Sequence, residues 1–487
     1  MLVKDILQKL DLGNSVAEFD AALESYFVET QTFREVINDR GDIVAGDKGT
    51  GKTAMFRILQ ARASRLPQLD GIQIVPAFNP TGSSIFQRLT ESQPLDEPAY
   101  VALWKVYVLA LVGNWILGRE HKRTESVARL DDLLTGSDLK SIDHTPTSIF
   151  GKIVEWIAKS LRTTKSAQIA FSFSESGAPV VTPKIDFSDA KAPDNPTVRV
   201  EDAFGVLNSA LSDLGLKVWV ALDRLDEAFQ GAPAAEVPAL RALFRTYLDL
   251  MPFERARLKL FVRRDLFRKV THGGFVNLTH VNARKIEIRW DEEDLKDLLF
   301  KRVRENREFL EDMDLLQAPN EEGFQRIFPQ QVDPGERKPA TWTWMMSRIR
   351  DGNGVKPPRN LIDLVRKSLD AQLRREDREA PNAYAKGDPL IGPEALKRGL
   401  KALSEERVND TLLAEAGDYA KVIERFRNNK ADHNEASLAT VLGTSVEDAR
   451  KHAEQLCELG FLEQIGGSYK VPPLYRDGLG ITQGKAY

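Results

Sequence analysis

An apolar run followed by a glycine-rich loop constrains this chain more than any other segment. Ile43–Ala45 is apolar, and Gly46–Thr53 reads G-D-K-G-T-G-K-T, which fits the pattern G-x-x-x-x-G-K-T. The residues from Ala54 onward are typical of a helix. A strand, such a loop and a helix in this order predict a parallel α/β sheet whose loop binds phosphate groups.

The residue types in the loop match the chemistry of a nucleoside triphosphate with Mg²⁺. The glycines let backbone N–H groups curl around phosphate oxygens, Lys52 places an ammonium on the β- and γ-phosphates, and the Thr53 hydroxyl coordinates Mg²⁺. A degenerate loop without ligand is the alternative. We therefore expect ATP and Mg²⁺ as cofactors, bound by Gly46, Asp47, Lys48, Gly49, Thr50, Gly51, Lys52, Thr53 and Ala54.

A second motif, which is acidic, follows about 170 residues after the loop. Val218–Leu222 is apolar on both faces and predicts a central strand of a parallel sheet. Asp223 follows it and is expected to hold Mg²⁺ through water beside the loop, with Thr53 as the other metal ligand. Asp226 and Glu227 are placed to orient and deprotonate the attacking water. The alternative is a helix N-terminus that carries acids.

Three arginines are candidates for contacting the developing charge on the γ-phosphate. Leu258–Val262 predicts the next buried strand, which brings Arg263 and Arg264 to the same sheet edge as Asp223. A salt bridge with Asp265 is the competing interpretation. Arg359 opens a helix after a loop and is a second candidate over the nucleotide, unless it is an ordinary helix-start residue.

Composition agrees with a globular protein of the cytoplasm. The chain is 42% hydrophobic and 29% charged, which are ordinary values for a globular protein. Its length of 487 residues is more than one hydrophobic core accommodates and suggests several domains. A net charge of −4 gives no general attraction to nucleic acid or to an anionic membrane. The single cysteine, Cys457, suits a reducing compartment. Tyr100–Leu117 is nearly all apolar but carries Lys105, and we expect a buried helix rather than a membrane span.

The order of elements predicts an α/β fold with four parts. These are an N-terminal helical lead-in at 1–35, a P-loop ATPase core with a parallel sheet at 36–290, a helical lid at 291–380 and a winged-helix domain at 395–480. The core carries a helical insertion at about 96–160 and a β-hairpin insertion at about 166–188, followed by a linker, Asp189–Thr197. Before the loop, Val16–Phe33 is amphipathic.

The C-terminal module combines two helical segments with a two-stranded wing. Leu438–Leu442 and the residues after Val446 have helical spacing, and Phe461–Ile465 and Tyr469–Val471 bracket a glycine turn. Over Ser445–Glu458, the presumptive recognition helix, two cations face four acids, which makes a poor groove-binding surface. A protein-packing role is therefore favoured over DNA binding.

These motifs carry a family resemblance. The loop, the Asp223–Glu227 motif and the terminal winged helix resemble prokaryotic ATPases of the STAND and origin-recognition branch of the AAA+ class. The acidic motif is similar to the Asp-Gly-Leu-Asp-Glu of NACHT-type ATPases, with Arg224 in place of glycine. The resemblance implies an ATP-driven switch that assembles into a homo-oligomer, and many relatives act in bacterial defence against phage. No repeat sensor or effector motif is apparent, which implies a protein partner for sensing or killing.

Three function classes follow. The first is a signalling or assembly ATPase that uses ATP to shift between conformations, and it is the favoured one. The second is a DNA-handling ATPase, an initiator or transposition regulator, whose winged helix binds duplex. The third is an ATP-binding scaffold with little turnover. Salt-dependent DNA binding separates the first two.

Overall fold

The computed structural model describes most of the chain as two compact units. It describes residues 1–77, 95–119, 121–141, 143, 145–153, 169–174, 179–183, 197–225, 227–229, 232–272, 274–380 and 382–487. The first unit comprises Met1–Thr30, Lys48–Gly51 and Arg289–Tyr487, and the second comprises Gln31–Asp47 and Lys52–Ile288.

Helices outnumber strands in the described chain. The strands, in chain order, are β1 (Ile43–Gly46), β2 (Ile72–Pro76), β3 (Ile169–Ser174), β4 (Pro179–Pro183), β5 (Thr197–Arg199), β6 (Lys217–Leu222), β7 (Ala256–Arg263), β8 (Lys285–Glu287), β9 (Lys430–His433), β10 (Glu463–Ile465), β11 (Ser468–Lys470) and β12 (Thr482–Lys485). The α-helices are α1 (Val3–Leu7), α2 (Gln31–Ile37), α3 (Lys52–Arg62), α4 (Glu97–Leu117), α5 (Glu125–Gly136), α6 (Val200–Asp213), α7 (Pro233–Leu250), α8 (Arg264–Thr271), α9 (Leu278–Ala283), α10 (Glu292–Arg304), α11 (Arg307–Asp312), α12 (Asn320–Ile327), α13 (Thr341–Arg348), α14 (Pro358–Glu376), α15 (Pro393–Glu406), α16 (Ala420–Glu424), α17 (Glu435–Leu442), α18 (Val446–Glu458) and α19 (Pro473–Arg476).

The second unit is built on a five-stranded parallel sheet. Its strand order is β2-β6-β7-β1-β8, and every neighbouring pair is parallel. All four residues of β1 are buried, as are five of the six residues of β6. Strands buried on both faces read as continuous apolar runs, which explains why the sequence of β1 and β6 shows no alternation. The parallel α/β fold predicted from the sequence is thus confirmed.

The long apolar helix α4 belongs to the core of the second unit. It is the one helix of the described chain that is long and apolar enough to cross a membrane, but 72% of its most apolar window is buried. Trp104 donates from its ring N–H to Ala239 O at 2.8 Å, and the Asn114 side chain bonds Ala110 O and Leu139 O. The ring N–H of Trp104 and the side-chain amide of Asn114 are therefore satisfied by carbonyl groups of the protein.

A smaller sheet in the same unit contains the predicted β-hairpin. β3 pairs antiparallel with β4 and with β5 in the order β4-β3-β5. The turn at 175–178 and the predicted linker, except for Thr197 in β5, lie outside the described residues.

The N-terminal segment of the first unit is held by a buried ion pair. Val16–Phe33 was expected as one amphipathic stretch, but 16–30 forms only a 3-10 turn, Ala17–Phe19, before α2 begins. Arg302 of α10 bonds Asp20 at 2.9 Å, and both side chains are buried. The Tyr26 ring lies 4.2 Å from the Arg302 guanidinium and its hydroxyl donates to Asp20. These long-range contacts replace the local helix.

The C-terminal part of the first unit contains the predicted helices and hairpin. α17 ends at Leu442 and is capped by Gly443, whose φ is +58°, and α18 begins at Val446. β10 and β11 form the antiparallel hairpin around Gly466, and β9 and β12 extend the sheet in the order β10-β11-β9-β12. The left-handed glycines allow the two sharp turns that this arrangement requires.

A buried cation ties β7 to the start of β1 in the second unit. Lys259 is 0% exposed, and its ammonium lies 2.7 Å from both Asp39 and Asp42 and 3.9 Å from the Trp219 ring centroid. Arg284 also bonds Asp42, at 2.9 Å. Burial works to raise the pKa of Asp42, but hydrogen bonds and charges from Arg284 and Lys259 outweigh it and lower that pKa.

Lys259→Ala is expected to lower the free energy of unfolding by about 3–5 kcal/mol, because it leaves the buried carboxylate of Asp42 short of a partner. Urea unfolding at pH 7 measures this. Arg257→Ala on the same strand is the matched control, because its 3.6 Å pair with Asp39 is half-exposed and should cost about 1 kcal/mol or less. Equal losses in the two variants would contradict the assignment.

The same network also sets a pH dependence. Because the folded-state pKa of Asp42 is lowered, its stabilisation is present above the unfolded-state pKa of about 3.9 and is lost as pH falls through the folded value. As the pH falls from neutral to that acid range, the free energy of unfolding of Lys259→Ala should therefore decrease less than that of wild type.

Candidate functional site: the phosphate loop and its sheet edge

The phosphate loop has the left-handed backbone that its glycines permit. Gly49 and Gly51 have φ values of +75° and +98°. A Cβ at Gly49 would lie 3.1 Å from the Cβ of Arg359, so a side chain at this position would also be crowded. The sequence interpretation of these glycines as conformational requirements is consistent with both facts.

Lys52 is positioned at the start of α3. Its ammonium donates to the carbonyl oxygens of Gly46 and Asp47, both at 3.0 Å. Thr53 follows it and is half-buried. A cation at the helix N-terminus, beside a curled loop, is suited to phosphate oxygens.

The acidic strand does not pair directly with the loop strand. Asp223 follows β6 and is 4% exposed. β7 lies between β6 and β1, so two inter-strand spacings, roughly 10 Å, separate Asp223 from the loop strand. That distance leaves room for an ion and a bridging water, the indirect coordination expected for Asp223. The sequence could not show which strand would intervene.

The structure gives the two arginines after β7 different partners. Arg263 lies opposite Gly46 in the β1–β7 register and binds Asp265 at 2.8 Å. Burial acts to raise the pKa of Asp265, but Arg263 keeps it below its usual range. Arg264 binds Asp47 of the loop at 3.0 Å. The pKa of Asp47 is raised, because burial outweighs the attraction of Arg264.

Arg224 occupies a position that sequence reasoning treated only as a departure from glycine. Its φ is +56°, the left-handed region that costs most side chains about 1–2 kcal/mol. Its guanidinium Nε donates to Glu227 at 2.6 Å. The i,i+3 spacing of Arg224 and Glu227 was the available signal for this pair. Asp226, the predicted support for the base, lies outside the described residues.

Residues 48–51 contact other residues of the first unit. Lys48 forms an ion pair with Glu415, and the Trp290 ring N–H donates to Thr50 O at 2.8 Å. The Arg359 backbone N–H approaches Gly49 O at 3.5 Å. The Arg359 Nε is buried without a hydrogen-bond partner among the described residues, and burial lowers the pKa of this side chain. Sequence reasoning missed Glu415 and Trp290, since neither belongs to a motif.

The residues of this region fit a nucleoside triphosphate with Mg²⁺. No group of three or more His, Cys, Asp or Glu side chains could hold a metal ion in the described chain. Thr53 and Asp223 would instead share an ion that the phosphates bring with them, as in phosphate-loop sites.

The comparisons with known proteins give only distant likenesses. No protein-family model matches the chain. No curated protein matches it significantly. Among solved structures, the Aeropyrum pernix ORC1 protein in complex with DNA is 11% identical, with a TM-score of 0.36 and coverage of 96% of both chains.

Two structures of the Aeropyrum pernix ORC2 protein also match. The form with ADPNP and ADP is 11% identical, with a TM-score of 0.36 and coverage of 95% of this chain and 91% of that one. The ADP form is 12% identical, with a TM-score of 0.30 and coverage of 91% and 87%. Likeness at these levels shows neither a family nor a function. The chain's own sheet and loop define its class, an α/β fold with the phosphate loop of P-loop nucleotide-binding proteins.

Proposed function

We propose that this protein binds Mg-ATP and hydrolyses it to drive a conformational switch, as AAA+ ATPases do. The observation that carries the proposal is the left-handed glycine loop between β1 and α3, with Asp223 and Arg263 at the same edge of the parallel sheet. A phosphate cradle, a metal carboxylate and a cation at one edge are the parts that phosphoryl transfer needs.

In this proposal each side chain has a separate task. Lys52 neutralises the β- and γ-phosphates, and Thr53 and Asp223 hold Mg²⁺, which supplies further charge neutralisation when bound. Glu227 accepts a proton from the attacking water, with Asp226 in support. Arg264, paired with Asp47, would exchange this carboxylate for the γ-phosphate.

Contacts of the phosphate loop also link it to residues of the C-terminal part of the chain. Lys48 pairs with Glu415, and Arg359 contacts Gly49, so both ends of the loop tip are linked to helices of the first unit. Phosphates in the cradle would compete with Glu415 for Lys48. We therefore propose that nucleotide changes the position of the C-terminal module, which acts as a winged-helix packing domain.

A DNA-handling ATPase is the second candidate function. The helix pair and hairpin of the C-terminal module support it, because such modules often read DNA. The charge of the module does not support DNA binding, because residues 430–487 contain six cations and eight acids. Arg450 pairs with Glu435, Lys451 with Glu447, and Lys470 with Asp432. Neither the fold nor the comparisons support the defence role and the effector partner that the resemblance implies.

Lys52→Ala should abolish ATP binding in a calorimetric titration, because it removes the cation that meets the β- and γ-phosphates. Lys48→Ala is the matched control within the same loop. Because Lys48 must leave Glu415 to reach a phosphate, we expect this variant to weaken ATP binding far less than Lys52→Ala does and to change its coupling to the C-terminal residues. Unchanged affinity in Lys52→Ala would remove the proposal.

Glu227→Gln should bind ATP but hydrolyse it ~10²–10⁴-fold more slowly, as expected for loss of a general base. Arg224→Gly should hydrolyse faster than wild type, because it frees Glu227 while glycine accepts the φ of +56°. Arg224→Ala separates the effects, since it frees Glu227 but keeps the backbone cost. Slower turnover in both Arg224 variants would mean that Arg224 assists the reaction.

We also propose that the protein self-associates when ATP is bound. Arg263, Arg264 and Arg359 are more arginines than one γ-phosphate site usually needs in cis. Mass photometry with ATP, with ADP and without nucleotide should show a larger species only with ATP. Mixing Arg263→Ala with Lys52→Ala then tests action in trans: recovery of turnover assigns Arg263 to a neighbour's site. A monomer under all three conditions contradicts self-association.

A further inference from the structure

A groove lies between α14 and α15, two helices that approach each other closely. A Cβ at Gly399 of α15 would lie 2.7 Å from the backbone nitrogen of Ser368 on α14, so only glycine permits the observed approach. The groove beside this contact has a volume of about 280 Å³ and includes the small residues Ala371 and Ala402 in its lining. Small side chains leave the space that the longer neighbours surround.

The charged lining of this groove is strongly basic. Lys367, Arg374, Arg378 and Arg398 line it, with Asp370 as the single acid in the lining. This balance is unusual in a chain with a net charge of −4. Cations so concentrated repel one another, which favours the binding of an anion.

The arginines of the groove are not used by the fold. Arg374, Arg378 and Arg398 are exposed and make no ion pair within the part of the chain that the structure describes. Lys367, by contrast, binds Glu406 at 2.6 Å. The three arginines thus keep their guanidinium donors available to a partner.

Two nearby acids, Asp377 and Glu379, are neutralised by other cations. Asp377 binds Lys4 at 2.5 Å, and Glu379 binds Arg375 at 2.9 Å. Neither carboxylate pairs with the groove arginines. The positive field of the groove is therefore not cancelled by ion pairs to its own neighbours.

The form of the basic lining indicates what kind of anion it would take. Lys367 and Arg374 of α14 are seven residues apart, which corresponds to about 10 Å along the helix, and Arg378 follows beyond the last helical residue. A single phosphate is shorter, whereas one strand of a nucleic-acid duplex places on the order of three phosphates along that length. Guanidinium forks also match phosphate oxygens in geometry.

We propose that the α14–α15 groove binds the phosphodiester backbone of nucleic acid, without reading its sequence. This goes beyond the ATP-driven switch and does not require it. It also places nucleic-acid contact away from α18, whose two cations are paired within the C-terminal module.

Fluorescence anisotropy of the full-length protein with a labelled 30-base-pair DNA tests the proposal. Wild type should bind in the micromolar range at about 50 mM salt, as backbone contacts typically do. Arg374→Ala/Arg378→Ala/Arg398→Ala should weaken binding at least tenfold and reduce the slope of log K against log salt by about 2 to 3. Arg374→Glu/Arg398→Glu should weaken it further. Thermal unfolding should show both variants folded, because these side chains are exposed.

The matched control is Arg450→Ala/Lys451→Ala, which removes exposed cations from α18 and should leave binding unchanged. Lys52→Ala should also still bind DNA, which separates this proposal from that of ATP binding. An RNA duplex of the same length should bind by the same backbone chemistry and lose affinity in the same groove variants. Three results would overturn the proposal: no binding by wild type, loss only in the α18 variant, or binding to phosphatidylserine vesicles but not to nucleic acid.

Discussion

The parallel pairing of β1 with β7 is the constraint on which the candidate site depends. At one end of this pair, Lys259 is fully buried between Asp39 and Asp42. At the other end, Gly46 lies directly opposite Arg263. A one-residue slip in a strand would move its side chains to the opposite face of the sheet, so the buried cation and the register at the loop require each other. The network far from the loop thereby fixes which arginine stands beside it.

Most charges of the candidate site are paired inside the protein. Asp47 binds Arg264, Glu227 binds Arg224, and Lys48 binds Glu415. A phosphate that reaches Lys48 or Arg264 must therefore displace a carboxylate from that cation. Partly exposed ion pairs contribute about 1 kcal/mol or less, so such an exchange costs little. This property suits a switch, since small differences in binding can then redistribute contacts across the loop.

The distribution of cations separates two surfaces of the first unit. In the C-terminal module Arg450, Lys451 and Lys470 are held by carboxylates of the same module, which is typical of a surface stabilised by its own charges. In the α14–α15 groove the arginines have no such pairing among the described residues. The number of cations alone does not distinguish the two surfaces. Their ion pairs do, because a cation that is already bound to a carboxylate attracts a phosphate less strongly.

The sequence by itself determined the parallel sheet, the phosphate loop and the order of elements in the C-terminal module. These features rest on local signals, namely apolar runs of strand length, glycines at fixed spacing and helical periodicity. Only the tertiary structure decided that β7 separates β6 from β1, that Arg224 adopts a left-handed backbone and holds Glu227, and that α14 and α15 meet beside a basic groove. Each of these depends on which residues meet across the fold. The periodicity of one segment carries no information about its partner, so the sequence could not settle them.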